Sequence, residues 1–174
     1  MTNSTFADNA SCNCNFFAGA IFNDGNTQPG GAMLEMGNTI FKGGLENPRN
    51  IFNQGGVVIS DGYNLTNDAG VFNTNGGIGD FNAAGDQINT DPMLGPLQDN
   101  GGLTPTHELL PGSPAINAGD PSFTPPPFFD QRGPGFDRVV GGFIDKGSFE
   151  VQNGGTPPPR ATPTPRPRPT PAPR

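Results

Sequence analysis

The chain has 174 residues, and its 27 glycines and 21 prolines, the two poorest helix formers, exclude a largely helical protein. Hydrophobic residues make up only 32% of the chain, yet its 14 phenylalanines indicate that part of it buries a core. The formal net charge is −7, and four of the nine basic residues lie in the last fifteen positions, so the general field of the acidic remainder excludes nucleic-acid binding.

The N-terminal residues carry no targeting signal. Met1–Phe6 form neither a basic nor an apolar segment, so we expect no secretory signal peptide in this chain. No stretch approaches the ~20 apolar residues of a membrane span. The two cysteines, Cys12 and Cys14, are too close for an easy mutual disulfide, and no further Cys or His completes a zinc site. We expect ordinary thiols.

Residues 1–90 alternate short β-prone runs with Asn, Asp and Gly, the residues of tight turns. The runs that predict strands are residues 5–6, 19–22, 32–36, 39–41 and 57–59. The sequence also repeats: Asn3-Ser4-Thr5-Phe6 recurs as Asn38-Thr39-Ile40-Phe41, and Tyr63-Asn64-Leu65-Thr66 is a candidate third copy. Such spacing is typical of solenoid repeats with loop insertions.

Short strands that stack repeat upon repeat form parallel sheets, in which like side chains line up in rows. Asn side chains in such rows can bond to one another at the strand spacing of ~4.8 Å. The sequence therefore predicts an all-β fold, a right-handed parallel β-helix, whose last few coils are residues 1–90. A β-sandwich is the alternative, but its strands usually alternate cleanly over ~5 or more residues, and most of these runs are shorter.

The second half of the chain carries a long series of ordered motifs. They are the run from Asn89 to Asp120, then Asp130-Gln131-Arg132-Gly133, Val139-Val140-Gly141-Gly142 and Asp145-Lys146-Gly147-Ser148-Phe149-Glu150. Residues 55–150 closely resemble the C-terminal part of the choice-of-anchor Q domain family of bacterial secreted and surface β-helix proteins. A shorter likeness, in Asn3–Asn9 and Ala18–Ile21, is to the repeats of polymorphic outer membrane proteins.

The resemblance implies a right-handed parallel β-helix whose last coils run into a Pro/Gly-rich cap at residues 91–152, here named the closing segment. Prolines cannot donate ladder hydrogen bonds, so we expect five of them to stop strand addition: Pro92, Pro96, Pro105, Pro111 and Pro114. We expect five apolar side chains to cover the open end of the core: Leu94, Leu97, Leu109, Leu110 and Ile116. Family members carry a signal peptide and many coils upstream, so we expect this chain to be a C-terminal fragment.

No residue pattern in the chain predicts catalysis. His107 is the sole histidine, and a structural hydrogen bond is the expected role for it. A β-helix hydrolase needs carboxylates that converge on one strand face, and a lyase needs calcium and a base. The basic residues of the body form no visible cluster with carboxylates: Lys42, Arg49, Arg132, Arg138 and Lys146. We therefore expect no enzyme activity and no catalytic or cofactor-binding residues.

Calcium binding by aspartates at the turns is an alternative that the sequence leaves open. Hard oxygen ligands recur there among Asn and Gly, at Asp61, Asp68, Asp80, Asp86 and Asp91, although turn chemistry alone explains these residues. Gly76-Gly77-Ile78-Gly79-Asp80 falls one residue short of a calcium-binding repeat. We therefore expect no metal site. Arg132 is expected to pair with Asp130, Asp137 or Glu150.

Residues 153–174 alternate Pro with Thr, Arg or Ala, which predicts a disordered, extended spacer whose arginines contact an anionic cell-wall polymer. Taken together, the sequence predicts a non-catalytic, secreted or cell-surface structural and adhesive module. Its Asn-lined faces are candidates to bind a polysaccharide, another glycan or a surface protein. The alternative is the terminal cap of a β-helix polysaccharide lyase or hydrolase whose active site lies on coils outside this chain.

Overall fold

The computed structural model describes residues 1–9, 19–26, 31–43 and 49–152. The predictions for Cys12, Cys14 and the tail at 153–174 lie outside these residues. The described part contains strands and no helix, which confirms the all-β class, and accordingly it offers no apolar helix that could cross a membrane. The strands are β1 (Thr5–Ala7), β2 (Ile21–Asp24), β3 (Met33–Gly37), β4 (Ile40–Lys42), β5 (Ile51–Gln54), β6 (Val57–Gly62), β7 (Leu65–Thr66), β8 (Val71–Thr74), β9 (Leu94–Gln98) and β10 (Thr106–Leu109).

The first eight strands form three parallel sheets, and successive passes of the chain visit these sheets in the same order. The first sheet has the order β1-β4-β7, the second β2-β5-β8, and the third β3-β6. Pass 1 therefore comprises β1 to β3, pass 2 comprises β4 to β6, and pass 3 begins with β7 and β8. Isolated parallel bridges from Val57 to Ile78 and from Leu65 to Gln87 continue the third and first sheets beyond the named strands.

The register of the first sheet confirms the predicted repeat. Thr5 pairs with Ile40, which pairs with Leu65, and Phe6 pairs with Phe41. The residue that opens each copy, Asn3, Asn38 and Tyr63, has a φ of 51°, 49° and 57° respectively. Asn is among the few residues that adopt this left-handed conformation at low cost, which explains its place at this turn.

An inner core lies between the three sheets. Its buried members come from every sheet: Met36, Phe41, Ile51, Val58 and Phe81. The ring of Phe41 stacks between those of Phe6 and Phe81, with centroid distances of 5.2 and 5.7 Å. These rings form a column that runs across the passes.

The second sheet carries the predicted ladder of Asn side chains. Nδ2 of Asn23 donates to Oδ1 of Asn53 at 2.8 Å, and Nδ2 of Asn53 donates to Oδ1 of Asn73 at 2.7 Å. Asn23 is 8% exposed and Asn53 is 0% exposed, so these two members are internal, whereas Asn73 at the end of the row is exposed. The amides of this row bond to one another and to nearby carbonyls, so these groups are engaged within the protein.

The closing segment packs beside the parallel sheets. It contains an antiparallel pair, β9 with β10, which joins none of the parallel sheets. Leu94 and Leu109 are buried, and they pack against Ile40 and Leu65 on the outer face of the first sheet. Together with Ala115 and Phe149 these residues form an outer core.

The predicted cap residues do not lie where the sequence analysis placed them. Leu94 and Leu109 cover a lateral face of the first sheet instead of the open end of the inner core, and Ile116 packs partly against the same outer core. Leu97 is 62% exposed and covers neither. Successive side chains of a strand point to opposite faces of the sheet. Ile40 of β4 therefore packs in the outer core and Phe41 in the inner core, and both are fully buried.

Three consecutive residues of the closing segment tie the three passes together. Nζ of Lys146 donates to the carbonyl oxygen of Asn64 at the start of pass 3, and to that of Gly85 just before Gln87, the residue that pairs with Leu65 beyond β7. The N–H of Gly147 donates to the carbonyl of Asn38 at the start of pass 2, and the N–H of Ser148 donates to Oγ1 of Thr5 in pass 1. Lys146–Ser148, named the strap, thus crosses the sheet from one pass to the next.

Candidate functional site: the edge cavity

Strand β1 has one paired edge and one open edge. In the first sheet it hydrogen-bonds to β4 alone, and no other described strand pairs with it. The carbonyl of Ser4 accepts from the N–H of Ile40, and the N–H of Asp8 donates to the carbonyl of Lys42. Because main-chain groups alternate in direction along a strand, those of Thr5 and Ala7 point to the open edge.

A cavity of about 590 Å³ lies along this edge. Its first wall consists of five consecutive residues, Thr2 to Phe6. Thr5 belongs to the outer face of the sheet and Phe6 stacks in the inner column, so a cavity that touches both follows the edge between them. The second wall comes from the closing segment: Pro127, Phe129, Asp130, Gln131, Arg138 and Ser148. This is the edge cavity.

Most hydroxyl groups of the lining already have partners. Oγ of Ser148 donates to Oγ1 of Thr5 at 3.1 Å, and Oγ of Ser4 donates to the carbonyl of Thr2 at 3.0 Å. Phe129, 39% exposed, supplies an apolar surface opposite the strand. The open main-chain groups of β1 are therefore the principal polar groups that the cavity offers.

A buried ionic cluster supports the second wall. Arg132 binds Asp130 through Nε and Nη2, with Nη2 at 2.7 Å from Oδ2, and its guanidinium lies between the rings of Phe136 and Phe149. Of the three acids that we named as candidate partners for Arg132, the structure selects Asp130. Arg132 also donates to the carbonyl of Glu150 at 2.5 Å, so the ion pair holds the end of the closing segment.

Arg138 connects this cluster to pass 1. Its Nη2 donates to Oδ1 of Asn3 and to the carbonyl of Asp145. Its Nη1 lies 3.7 Å from Oε2 of Glu150, and the side chains of both residues are only 1% exposed. Nε and Nη1 of Arg138 and Oε1 of Glu150 make no hydrogen bond in the described structure. The guanidinium is thus a positioning group between the strand and the closing segment.

Burial shifts the pKa values of these groups toward their neutral forms. It raises the pKa of Glu150 to about 8, although the N–H of Asp145 opposes this shift by donating to the carboxylate. Burial also raises the pKa of Asp145, against hydrogen bonds from the N–H groups of Asn117 and Val151. It lowers the pKa of Arg138, against the attraction of Glu150. Burial therefore favours the neutral form of the Glu150 carboxyl, whereas the neighbouring Arg138 lowers its pKa and favours the charged form.

The other candidate residues of the sequence analysis, His107 and the five turn aspartates, lie outside the edge cavity. Nδ1 of His107 lies 2.8 Å from the carbonyl oxygen of Gly95, so the ring bridges β9 and β10 in the structural role that we expected. The five turn aspartates do not meet. In the part of the chain that the structure describes, no three His, Cys, Asp or Glu side chains come close enough to hold a metal ion.

Each turn aspartate instead accepts hydrogen bonds from its own neighbourhood, or lies exposed. Asp68 accepts from the N–H groups of Asn50 and Gly70, and Asp86 accepts from those of Asn64 and Ala83. Asp80 and Asp91 cap turns in the same way, and Asp61 is exposed beside a cavity of about 170 Å³. Turn formation accounts for these residues.

Sequence reasoning missed the ion pair of Arg138 with Glu150 and the buried position of Lys146. These contacts join positions that no local pattern links, such as Lys146 and Gly85, which are 61 residues apart.

Sequence reasoning also missed β5 and β8, although the sequence contains a pattern that predicts them. Ile21-Phe22-Asn23, Ile51-Phe52-Asn53 and Val71-Phe72-Asn73 are a second repeat, and they occupy one register in the second sheet.

Three comparisons with known proteins were negative. No family model matches the chain, and neither the curated proteins nor the solved structures contain a match.

Proposed function

We propose that this chain is a non-catalytic structural and adhesive module of secreted or cell-surface type, and that it accepts an extended polypeptide segment at the edge of β1 with which no described strand pairs. Its three parallel sheets and the choice-of-anchor Q motifs support a right-handed parallel β-helix. The observation that carries the binding proposal is the edge cavity, which follows Thr2 to Phe6, the residues that lead into β1 and its first two residues, along the edge opposite β4.

An open strand edge is a template for another polypeptide. It presents N–H and C=O groups at the spacing that only a second backbone matches, and partners bind many proteins in this way. The cavity volume of about 590 Å³ lies in the range of ligand sites, ~300–1,000 Å³. The closing segment forms the far wall, so an added strand would be held between β1 and Phe129.

The lining favours a polypeptide over a glycan. A sugar chain is recognised by side-chain hydroxyl, amide and charged groups that converge on it. Here the hydroxyls of Ser4, Thr5 and Ser148 are engaged within the protein. The carboxylate of Asp130 is held by Arg132. The main-chain groups of Thr5 face the edge opposite β4, and a second strand is the partner that satisfies such groups best.

The same contacts weigh against the alternative of a polysaccharide-cleaving site in this region. Retaining and inverting glycosidases both need two carboxyl groups that face the substrate. Asp130, Asp145 and Glu150 are 7%, 1% and 0% exposed, and each accepts hydrogen bonds from the closing segment itself. Their role is to hold the closing segment in place.

A matched pair of variants tests the proposal. Thr5→Pro removes the N–H that points to the open edge, whereas Thr5→Val removes the same hydroxyl and keeps that N–H. An edge strand tolerates Pro where its N–H faces away from the sheet. The full chain and both variants are screened against an array of random extended peptides and against cellohexaose and xylohexaose. We expect peptide binding by the parent and Thr5→Val but not by Thr5→Pro. Sugar binding that all three share, without peptide binding, would contradict the proposal.

A further inference from the structure

The tripeptide Asn-Gly-Gly occurs three times in the chain, at residues 75–77, 100–102 and 153–155, and the third copy lies outside the described residues. An Asn followed by Gly is a reactive pair, because the main-chain nitrogen of the Gly can attack the side-chain amide carbon and no Cβ hinders its approach. We propose that Asn75 is a site of spontaneous chemical modification in the folded protein, and that the fold protects Asn100 from the same reaction. This inference is independent of the proposed function.

The reaction consumes water and needs no other reagent. The nitrogen of Gly76 forms a bond to Cγ of Asn75, the bond from Cγ to Nδ2 breaks, and Nδ2 leaves as ammonia with the proton that the Gly76 nitrogen gives up. Water then opens the resulting five-membered imide at one of its two carbonyl carbons. One opening gives Asp at position 75. The other gives isoaspartate, in which the main chain runs through Cβ and is one carbon longer.

Both reacting groups at Asn75 are accessible. Asn75 and Gly76 are exposed. Within the described part of the chain, the carboxamide of Asn75 makes no hydrogen bond and the N–H of Gly76 has no acceptor. Nothing lies within 4 Å of a Cβ placed on Gly76, so the main chain has room to rotate there. The nitrogen of Gly76 and the amide carbon of Asn75 can therefore approach each other.

The turn around Asn75 opposes the reaction only weakly. The φ of Asn75 is 49° and that of Gly76 is 81°, the two positive values typical of an Asn-Gly turn. One main-chain hydrogen bond closes this turn, from the N–H of Gly77 to the carbonyl of Thr74 at 2.8 Å. The attack needs another rotation of Asn75, so this bond opens first. Opening one such bond slows the reaction by about 5-fold relative to the unfolded chain.

At Asn100 the protein holds both reacting groups. Nδ2 of Asn100 donates to the carbonyl and to Oγ1 of Thr106, at 2.9 and 3.2 Å, and its Oδ1 accepts from Nε2 of Gln98 at 3.0 Å. The N–H of Gly101, the attacking group, donates to Oδ1 of Asp99 at 3.1 Å. Several hydrogen bonds must therefore break before Asn100 can react, and each slows the reaction by about 5-fold.

Modification of Asn75 has a structural consequence in the third sheet. Ile78 continues this sheet beyond β6: its N–H donates to the carbonyl of Gly56, and its carbonyl accepts from the N–H of Val58. The turn at Asn75 sets the position of Ile78. A main chain that is one carbon longer does not fit this turn, so we expect isoaspartate to release Ile78 from the sheet. The product accumulates with the age of the molecule.

Timed incubation of the full chain in neutral buffer, followed by chymotryptic digestion and mass spectrometry with electron-transfer fragmentation, tests the inference. The digestion places the two Asn on separate peptides, residues 73–81 and 98–103. In the folded chain we expect Asn75 to convert at least about 5-fold faster than Asn100. In guanidinium chloride we expect similar rates, because the tripeptides are identical.

Three results would overturn the inference. The first is a rate at Asn100 that equals or exceeds the rate at Asn75 in the folded chain. The second is the same ratio of rates in guanidinium chloride as in the folded chain, since the fold would then not cause the difference. The third is an Asn75 that does not react in the folded chain over a period in which it reacts in the unfolded chain.

Hydrogen exchange of the aged protein tests the structural consequence. We expect the amides of Val58 and Ile78 to exchange faster in the isoaspartate fraction than in fresh protein. Asn75→Asp is the matched control, because it has the charge of the product and an unaltered main-chain length, and Asp adopts a positive φ almost as readily as Asn. We expect this variant to keep the protection of the parent. Unchanged exchange in the isoaspartate fraction would overturn the release of Ile78.

Discussion

The ammonium nitrogen of Lys146 lies 2.6 Å from the carbonyl oxygen of Gly85 and 2.7 Å from Oε1 of Gln87. Gln87 is the residue that continues the first sheet beyond β7. Two residues later, Ser148 contacts Thr5 in β1 at the other end of the same sheet. The closing segment is therefore a lateral brace, and its position explains how so short a stack of passes keeps its edges in register.

The Lys146 contact predicts a large effect of removing its ammonium group. Lys146→Met keeps the apolar stem but removes the side-chain donor to the carbonyl oxygen of Gly85 and to Oε1 of Gln87, and leaves the carbonyl oxygen of Asn64 with the N–H of Gln87 as its donor. An unpaired buried acceptor costs about 1–3 kcal/mol. We expect the free energy of unfolding, measured by urea titration, to fall by about 2 kcal/mol. Lys42→Met is the control, since Lys42 lies on β4 and is half-buried. An equal loss of unfolding free energy in both variants would contradict the stabilising role of the Lys146 contacts.

We expect a side chain at Gly147 to clash with the neighbours of the strap. A Cβ at Gly147 would lie 2.6 Å from Oγ1 of Thr5 and 2.7 Å from Cδ1 of Ile40. Gly147 and Gly142 share nearly the same φ, 87° and 88°, but nothing lies near a Cβ at Gly142. Gly142→Ala should therefore cost only the left-handed strain, about 1–2 kcal/mol, and Gly147→Ala about 2 kcal/mol more. Equal thermal stability of the two variants would show that the strap does not pack against β1.

Glu150 predicts a fall in stability with rising pH. Its pKa is about 8 in the folded protein and ordinarily about 4.5, so folding favours the protonated carboxyl. That contribution is complete below pH ~4.5 and is lost as the pH rises through ~8, with a slope of at most about 1.4 kcal/mol per pH unit. The raised pKa of Asp145 acts in the same direction. We expect Glu150→Gln to flatten the profile between pH 5 and pH 8 in denaturant titrations. An unchanged slope would refute the assignment.

Lys146 contributes the opposite slope at higher pH. Burial lowers its pKa to about 8 from an ordinary value of 10.5, so folding favours the neutral amine. This stabilising contribution is present above pH ~10.5 and is lost as the pH falls through ~8. The two groups together predict a minimum of stability near pH 8. A stability maximum at that pH would contradict both pKa shifts.

The Asn row of the second sheet predicts a loss on truncation of its central member. Asn53→Ala removes the acceptor of Asn23, the donor to Asn73 and the donor to the carbonyl of Gly56. We expect a loss of about 2–4 kcal/mol in the free energy of unfolding, because several buried polar groups lose their partners. Asn82→Ala is the control, since Asn82 is exposed in a turn region. Equal stability of both variants would show that the row contributes little.

The sequence predicted the parts of the fold that depend on local chemistry. The β-prone runs at 5–6, 32–36, 39–41 and 57–59 lie within or overlap β1, β3, β4 and β6. The copy at Asn38 was identified because Asn and Phe stand at positions where a left-handed turn and a stacked ring both constrain the residue type. β5 and β8 were missed because loops of unequal length separate their Ile/Val-Phe-Asn motifs.

The candidate site was not predictable from the sequence in the same way. The edge cavity exists because the closing segment lies beside the first sheet, and this docking depends on contacts such as Arg138 to Asn3, 135 residues apart. The apolar pattern of Leu94, Leu97 and Leu109 indicated burial but not the surface that receives it. Once Ile40 and Leu65 are known to point outward from β4 and β7, the lateral position follows.

Residue-resolved hydrogen exchange of the full chain tests the open edge most directly. We predict that the amides of Thr5 and Ala7 exchange rapidly in the free protein, while the amide of Phe6, which faces β4, is protected. On addition of a peptide that the array selects, Thr5 and Ala7 should become protected and Phe6 should stay unchanged. Protection of Thr5 and Ala7 in the free protein, or no change in their exchange on saturation with bound peptide, would contradict the proposal that β1 accepts a strand.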